Sequence, residues 1–195
     1  MPEIETDRLL LRQFTLADLD ALAQIFADPE VVKHLGSGQP ASSEETEMAL
    51  RSIIAHWGLH GFGRWATVHR PTRELIGYGG LRSFHGEPEL VYLLKKSYWG
   101  RGLATELARA CLKFGFEERG FERVIAMAKT ANAASHRVME KSGMLFERRA
   151  KIYGLDVVRY ALSRPAYLSM QESSTFAYDI HGFTREAHQR ARLQV

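Results

Sequence analysis

The chain has 195 residues, of which 45% are hydrophobic and 25% charged, as is ordinary for one globular domain with a substantial core. Its 26 basic and 23 acidic residues leave a net charge of +3, too small to argue for nucleic-acid binding. There is no apolar run of about 20 residues and no basic-then-apolar leader, so we expect neither a membrane span nor a signal peptide. The single cysteine, Cys111, excludes a disulfide within the chain and suits a reducing cytoplasm, where we expect the protein to lie.

The N-terminal part of the chain predicts a short strand followed by two helices. The strand covers residues 9–14, and Thr15 is a suitable N-cap for the helix that follows it. A segment rich in turn formers leads to Ser42 and Ser43, either of which can cap a second helix ending near His60. Two amphipathic helices therefore precede the main strands.

Two further strands are predicted at residues 61–70 and 74–83. The second carries Gly77, Gly79 and Gly80, which are many glycines for one strand. Glycines inside a strand indicate a β-bulge or a close approach of the backbone, and we expect one of the two here.

Two histidines near the end of the second helix, His56 and His60, are four residues apart and could share a helix face. A metal site would need a third ligand, and a metalloprotease would need a glutamate where Trp57 stands. We therefore interpret the histidines as a surface pair and expect no metal. Ser135 and His136 are adjacent on a predicted helix, so their side chains diverge by about 100° and cannot form the nucleophile pair of a hydrolase.

The most informative segment is a glycine loop between a predicted strand, residues 89–95, and a strong helix. Gly100 and Gly102 let the backbone turn tightly near a ligand, and the first amides of the helix attract negative charge. This arrangement suits a phosphate or pyrophosphate, although Gly-x-Gly alone is equally typical of an ordinary strand-to-helix turn. No Lys-Ser/Thr pair follows Gly102, which excludes a P-loop. Thr105 occupies the third glycine position of a dinucleotide fingerprint, which excludes that motif.

Three basic residues lie in or beside the loop: Lys95, Lys96 and Arg101. They could contact the phosphates of a ligand, or they could form a solvated surface cluster, and the sequence favours neither interpretation.

The helix after the loop has one continuous apolar stripe, on which Cys111 is expected to be a small core residue. The stripe consists of Leu103, Leu107, Ala110, Cys111 and Phe114. Gly120 ends this helix, and a strand rich in β-branched residues follows at 123–128. Asn132 then caps a helix over residues 133–142, so the order is strand, glycine loop, helix, strand, capped helix.

Residues 89–147 resemble the acetyl-coenzyme A core of the GNAT N-acetyltransferase superfamily. The family motif Gln/Arg-x-x-Gly-x-Gly/Ala maps onto residues 99–104, with Trp99 in place of the usual Gln or Arg. That departure is typical of the RimJ/RimL-type branch, which acetylates the N-termini of ribosomal proteins. Members of that branch often read Tyr-Trp-Gly-x-Gly-x-Ala-Thr-Glu, and residues 98–106 match that string.

The resemblance extends beyond the loop, from about residue 3 to about residue 168. The branch tends to begin with Thr-x-Arg-Leu-x-Leu-Arg, which is similar to residues 6–12, and it carries Asn-x-x-Ser before Lys-x-Gly. The matching residues of the second motif are Asn132, Ser135, Lys141 and Gly143. The resemblance implies an α+β fold of three layers, α/β/α, whose mixed, mostly antiparallel sheet is splayed between its fourth and fifth main strands. We expect a GNAT domain at residues 1–168 and a C-terminal extension of unknown role at 169–195.

The resemblance also implies acetyl-coenzyme A as cosubstrate, without a metal. The residues that it assigns to this cosubstrate are Leu93, Leu94, Trp99, Gly100, Arg101, Gly102, Leu103, Ala104, Thr105, Asn132 and Ser135. The acceptor is a primary amine, either a protein N-terminus or a small molecule, which attacks the thioester directly.

The resemblance suggests two catalytic residues. Glu89 is the candidate base, acting directly or through water, and a solvated carboxylate at the strand end is the alternative. Ser135 is the candidate partner of the leaving sulfur, because Met139 stands where many family members carry a tyrosine acid. A serine bonded to its own helix backbone is the alternative for Ser135. Tyr92 and Tyr153 are further candidates for the groove.

Other interpretations stay open at this point. A non-catalytic coenzyme A-binding or protein-interaction domain with the same fold is the main alternative, and either a monomer or a homodimer is compatible with the sequence. Nucleic-acid binding has little support, because the basic residues of the tail are interleaved with acid and have few aromatic neighbours. After a last strand at 156–163, residues 171–175 resemble a linker and 186–193 could form a polar helix.

Overall fold

The computed structural model describes residues 2–173. In that range the strands are β1 (Ile4–Glu5), β2 (Leu9–Arg12), β3 (Arg64–His69), β4 (Glu74–Phe84), β5 (Glu87–Leu94), β6 (Arg123–Lys129), β7 (Leu145–Ile152) and β8 (Leu155–Ser163). The helices are α1 (Leu19–Phe26), α2 (Pro29–Val32), α3 (Ser43–His60), α4 (Leu103–Lys113) and α5 (Ala133–Lys141), and residues 164–173 are also helical. The glycine loop joins β5 to α4, as predicted.

The eight strands form one mixed sheet in the order β1-β2-β3-β4-β5-β6-β8-β7. Neighbouring strands are antiparallel except β5 and β6, which pair in parallel at Glu89 with Ile125 and at Leu90 with Ala126. Beyond these two positions no pairing joins β5 to β6 in the described chain, and the sheet opens. Since β1 has only two residues, β5 and β6 are the fourth and fifth main strands, so the predicted fold and its splay are confirmed.

Side chains of β5 alternate between two cores on opposite faces of the sheet. Leu90 and Leu94 belong to the core beneath α4, whereas Leu93 belongs to the core formed with α1 and α3. Cys111 of α4 is fully buried in the first core, as predicted, and burial raises the pKa of its thiol. A strand at the opening of the sheet therefore presents side chains to both layers of helices.

Two of the predicted helix caps form hydrogen bonds to the backbone. Ser42, rather than Ser43, caps α3: its Oγ accepts the Glu45 N–H at 3.1 Å, and the Glu45 carboxylate accepts the Ser42 N–H at 2.7 Å. Asn132 caps α5 by accepting the Ser135 N–H at 3.1 Å. These short-range patterns fix where the two helices begin.

The first predicted helix is divided. The Thr15 N–H donates to Asp18 at 2.9 Å, and a short 3-10 turn, Leu16–Asp18, leads into α1. The brief α2 that follows was not predicted. Asp28 caps it, and Pro29 at its first position fits the helix geometry without needing a hydrogen-bond acceptor.

The glycines of β4 have both of the expected roles. The register of β3 against β4 shifts beside Gly77, between Thr67 and Val68, which is a β-bulge. A Cβ atom at Gly79 would lie 2.6 Å from the side chain of Leu107, so this glycine lets α4 pack closely on the sheet.

His56 is not the surface residue that the sequence predicted. Its Nε2 accepts the backbone N–H of Ser83 at 3.1 Å, so the proton is on Nδ1, which donates to the Phe62 carbonyl oxygen at 2.8 Å. The half-buried ring therefore connects α3 to the end of β4. The two bonds depend on chain folding between distant segments, which the four-residue spacing to His60 does not reveal.

The C-terminal part of the described chain also differs from the prediction. β7 has mostly exposed side chains without regular alternation, so its sequence carries no strand signal and it was missed. Residues 171–173, predicted as the beginning of a linker, belong to the final helical segment. That segment is anchored by Tyr167, whose ring stacks on Phe116 with centroids 4.7 Å apart.

Several expectations are untested by this fold. The predicted polar helix at 186–193 lies outside the described residues, and the division into 1–168 and 169–195 stays a prediction. No helix between residues 2 and 173 is both long and apolar enough to cross a membrane. The cytoplasmic localisation and the oligomeric state also stay predictions.

Candidate active site

A cavity of about 550 Å³, here called the loop cavity, opens where β5 and β6 diverge. Its walls are the end of β5, the glycine loop, the first turn of α4 and the beginning of α5. Every residue that the sequence assigned to the cosubstrate lines it except Arg101. The guanidinium of Arg101 lies instead over the ring of Tyr98, 5.2 Å from the centroid. Residues 33–35 after α2 and residues 127–128 of β6 also line the cavity.

The glycine loop has the backbone geometry that its sequence implies. Gly100 and Gly102 have φ angles of 73° and 76°, in the left-handed region that side chains disfavour. Gly102 is the N-cap of α4, and its carbonyl oxygen accepts the N–H groups of Thr105 and Glu106, each at 3.1 Å. The earlier amides, of Leu103 and Ala104, lie at the positive end of the helix dipole, where they can meet an anion.

The N-terminal segment holds this loop in place. The Glu106 carboxylate accepts hydrogen bonds from the Thr6 hydroxyl at 2.6 Å and from Nε of Arg8 at 2.7 Å. Nη1 of Arg8 also donates to the carbonyl oxygen of Arg101 at 2.9 Å. Burial of Glu106 works to raise its pKa, but the bonds from Thr6 and Arg8 outweigh burial and lower the pKa. The separate motifs at residues 6–12 and 98–106 therefore form one unit.

None of the three basic residues noted in the sequence, Lys95, Lys96 and Arg101, lines the loop cavity. Lys95 forms an ion pair with Glu74 at 2.6 Å, and Lys96 lies 3.8 Å from Glu30. Three other basic residues line the cavity: Lys33, Arg137 and Lys141. No aspartate or glutamate lines it in the described chain, so it favours an anionic ligand.

A second cavity of about 320 Å³, here called the acceptor cavity, adjoins the first. Six of the described residues line both cavities, and Tyr92 and Ser135 are two of them, so the cavities meet at this pair. The other four are His34, Leu35, Met127 and Ala128. The acceptor cavity extends between the β5–β6 opening and the turn of the β7–β8 hairpin. Its wall includes Tyr153, which is exposed, and Met139, which is buried.

Glu89 lines the acceptor cavity and is not a solvated residue. It is the third residue of β5, only 2% exposed, and its Oε2 accepts the Arg82 Nε–H at 2.5 Å. The pairing of Arg82 with Glu89 across β4 and β5 brings these side chains together. Oε1 has no hydrogen-bond partner among the described residues, which leaves one carboxylate oxygen for a ligand.

Ser135 and Tyr92 form a hydrogen-bonded pair where the two cavities meet. The Tyr92 hydroxyl oxygen lies 2.7 Å from Oγ of Ser135 and 3.1 Å from the Ser135 carbonyl oxygen. Burial raises the pKa of Tyr92 to about 12, with the bond to Ser135 opposing part of that rise. The phenol therefore stays protonated at neutral pH and can support the serine hydroxyl as a donor.

Comparison with known proteins identifies the family. Residues 8–145, well over half of the chain, match the acetyltransferase (GNAT) domain, and the chain therefore belongs to the GNAT acetyltransferase family. It is 32% identical over 145 residues to YoaA, an uncharacterized N-acetyltransferase of Bacillus subtilis, covering 73% of this chain and 82% of YoaA. The protein is accordingly an N-acetyltransferase, and its resemblance to that superfamily is confirmed.

Solved structures agree with the fold. An acetyltransferase of the GNAT family from Bacillus anthracis is 27% identical with a TM-score of 0.75, covering 84% of this chain and 99% of that one. RimL, a ribosomal L7/L12 α-N-protein acetyltransferase solved with coenzyme A, has a TM-score of 0.73 at 20% identity. That match covers 85% of this chain and 99% of RimL, and at such identity it shows the fold alone.

Sequence reasoning missed the residues that reach the cavities through tertiary pairing. Arg64 and Arg82 lie on different strands from Glu89, and Arg137 lies on α5. Only the strand register, with Arg64 beside Gly80 and Arg82 beside Glu89, brings the arginines to the acceptor cavity. The sequence has no local motif for them. No group of three or more metal-binding side chains was found between residues 2 and 173.

Proposed function

We propose that this acetyltransferase takes the acetyl group from acetyl-coenzyme A in the loop cavity and passes it directly to a primary amine in the acceptor cavity. One observation carries the proposal: the two cavities meet at Tyr92 and Ser135, at the opening between β5 and β6. An anion-binding loop thereby adjoins a chamber that contains a buried carboxylate, Glu89.

The residues of the loop cavity suit coenzyme A. The amides at the beginning of α4 and the positive φ angles of Gly100 and Gly102 suit a pyrophosphate, and Lys33, Arg137 and Lys141 supply positive charge. Leu93 and Leu94, where β5 pairs with β4 but no longer with β6, offer backbone groups to the pantetheine arm, and the Asn132 side chain offers its amide. Arg101 acts through its backbone, held by Arg8.

Acetyl-coenzyme A supplies a thioester whose carbonyl carbon is open to attack by a neutral amine. Because amines are largely protonated at neutral pH, a base must remove a proton, and Glu89 has a free carboxylate oxygen for this purpose, directly or through water. Backbone N–H groups of β5 can donate to the oxygen that gains negative charge. The Ser135 hydroxyl, supported by Tyr92, can donate to the departing sulfur.

The acceptor is a primary amine of a protein N-terminus or of a small molecule. RimL, which shares the fold, is named for acetylating a ribosomal protein at its α-amino group. A protein N-terminus is therefore one of the two acceptor classes proposed for this chain. Both classes offer the same reacting group, so the proposal requires only an amine that can reach Glu89.

The test is release of coenzyme A thiol, measured with acetyl-coenzyme A and a panel of amines and peptide N-termini. We expect amine-dependent release, together with an acetylated product identified by mass spectrometry. The non-catalytic alternative predicts that acetyl-coenzyme A raises the melting temperature while no amine is acetylated. If acetyl-coenzyme A neither binds nor is turned over, the loop cavity is not a coenzyme A site.

A further inference from the structure

The acceptor cavity has an excess of positive charge. Among the described residues, two arginines and one lysine line it, Arg64, Arg82 and Lys129, against a single acidic residue, Glu89. An acceptor amine is itself cationic before it loses its proton. An amine with no negative group of its own would therefore meet net repulsion in this cavity.

Two of these cations have partners within the protein. Arg82 donates to Glu89 at 2.5 Å, and the ammonium of Lys129 donates to the backbone carbonyl oxygen of Lys33 at 3.2 Å. These contacts explain why Arg82 and Lys129 are present without invoking a ligand.

Arg64 is different. Its side chain is partly buried, and its guanidinium lies over the ring of Tyr78, 5.6 Å from the centroid. No carboxylate lies within ion-pair distance of it in the part of the chain that the structure describes. Loss of hydration lowers the pKa of Arg64, and the charge of Glu89 in the same cavity offsets only part of that shift. A desolvated guanidinium without an anion is costly, and a bound anion would offset that cost.

The position of Arg64 relates it to the candidate base. Arg64 pairs with Gly80, and Gly80 pairs with Val91, which is two residues after Glu89 on β5. Arg64 and Glu89 therefore extend from the same face of the sheet, two strands and two residues apart, or about 12 Å between backbones. Both side chains line one cavity, so the distance between the guanidinium and the carboxylate is shorter than the distance between the two backbones. A group a few bonds from the amine can reach the guanidinium while the amine contacts Glu89.

We infer that Arg64 binds a carboxylate of the acceptor, so that the substrate is an amine with a carboxylate close to it. An amino acid has this chemistry, and so does a peptide N-terminus with an acidic side chain beside the amine. The inference rests on the proposed function and specifies its acceptor. It also makes polycationic amines poor substrates, since they would add to the charge already present.

The test compares acceptors that differ in one group. In one arm, amino acids are compared with their carboxamides, and in the other, dipeptide amides beginning Asp are compared with those beginning Asn. We expect one arm to show kcat/KM about tenfold to hundredfold higher for the carboxylate, as charge-assisted hydrogen bonds allow. The arm that shows the preference identifies the source of the carboxylate. Equal rates within both pairs would overturn the inference while leaving acetyl transfer established.

Variants locate the effect. Arg64→Gln should abolish most of the carboxylate preference, mainly through KM, whereas Arg51→Gln should preserve it. Arg51 is an exposed residue of α3, paired with Glu47 and outside both cavities, so it controls for the loss of one charge. A preference that persists in Arg64→Gln would reject the role of Arg64.

A binding measurement separates this inference from the proposed function. The protein with coenzyme A is titrated calorimetrically with two pairs of ligands that need no turnover. One pair is an N-acetyl amino acid and its amide, and the other is the N-acetyl dipeptide amides beginning Asp and Asn. We expect tighter binding of the carboxylate in at least one pair to wild type and no such difference in Arg64→Gln. Selective binding without any acetyl transfer would refute the proposed function but support the carboxylate site, and equal binding within both pairs would refute the site.

Discussion

At the scale of single residues, the two oxygens of Glu89 have different surroundings. Arg82 holds Oε2, while Oε1 has no partner among the described residues. A carboxylate held in this way has a fixed orientation, and its free oxygen can take a proton from the acceptor amine. The ion pair thus suits a positioned base rather than a merely buried charge.

Glu89→Gln should lower kcat by about a hundredfold to ten-thousandfold near neutral pH, as expected for loss of a general base. The rate should recover partly at alkaline pH, because the amine then loses its proton to the solvent. A pH–rate profile from about pH 6 to about pH 10 measures both effects. Glu47→Gln, on the exposed face of α3, is the control. Wild-type rates in Glu89→Gln would show that water or another group takes the proton.

Ser135→Ala should lower the rate at all pH values, because it removes a donor to the departing sulfur without changing how the amine is deprotonated. Tyr92→Phe should have a smaller effect in the same direction, since the phenol acts through the Ser135 hydroxyl. Acetyl thioesters whose thiols are more acidic need less help in leaving and should restore much of the loss. An unchanged dependence on the leaving thiol in Ser135→Ala would rule out this role.

At the scale of elements, the glycine loop depends on conformation more than on side chains. Gly102→Val forces a branched residue to φ near 76°, at the point where the backbone should meet the pyrophosphate. We expect acetyl-coenzyme A to bind at least tenfold more weakly, a loss of about 1.4 kcal/mol, while the protein stays folded.

The matched control for this loop is Gly86→Val. Gly86 has a φ of 84° in the β4–β5 hairpin and lines neither cavity, and a Cβ atom at this position would have no neighbouring atom within 4 Å. The variant should incur similar backbone strain without weakening binding. Calorimetry gives the dissociation constant, and circular dichroism reports the fold. Equal binding by both variants would exclude the loop from the cosubstrate site.

The connection between α3 and β4 should depend on pH. Burial lowers the pKa of His56, and protonation would break the bond that its Nε2 accepts from Ser83. Above the ordinary histidine pKa of about 6.5 the ring is neutral in both states. As the pH falls through that value, the unfolded chain binds the proton more readily, so the free energy of unfolding decreases.

Urea unfolding at about pH 8 and about pH 5.5 tests this expectation. His56→Gln should destabilise the protein at the higher pH, and the difference from wild type should shrink at the lower pH. His85→Asn, which removes a histidine at an exposed position with φ near 49°, is the control against which the His56 variant is compared at each pH. A difference that stays constant with pH would mean that His56 keeps the same protonation in both states.

The sequence predicted the features that depend on near neighbours. These features are the helix caps Ser42 and Asn132, the glycine loop and the apolar stripe of α4. Each of them depends only on residues that lie close together in the sequence. Strand β7 was missed because most of its side chains are exposed, and pairing with β8, rather than a hydrophobic pattern, makes it a strand. The partners of Glu89 and Ser135 were missed because Arg82 and Tyr92 reach them through register and packing.

At the scale of the whole molecule, the opening between β5 and β6 connects the two layers of helices on opposite faces of the sheet. Alternation along β5 turns Glu89 toward the side of α1 and α3 and turns Tyr92 toward the side of α4 and α5. In a continuous sheet these faces would be separate, but beyond Leu90 and Ala126 the strands no longer pair. Acetyl-coenzyme A and the acceptor amine can therefore meet within the plane of the sheet. Each of them enters from its own cavity.

With this geometry we expect both substrates to be bound at once. Cys111, the only cysteine, is fully buried away from the opening, so no thiol is placed to carry the acetyl group. We therefore expect direct transfer within a ternary complex, without a covalent acetyl-enzyme.

Direct transfer is tested by a matrix of initial rates over acetyl-coenzyme A and an amine that proves to be an acceptor. It predicts double-reciprocal lines that intersect, with coenzyme A release that depends on the amine. Parallel lines, the pattern of a covalent acetyl-enzyme, would contradict the meeting of the two cavities as the place of reaction.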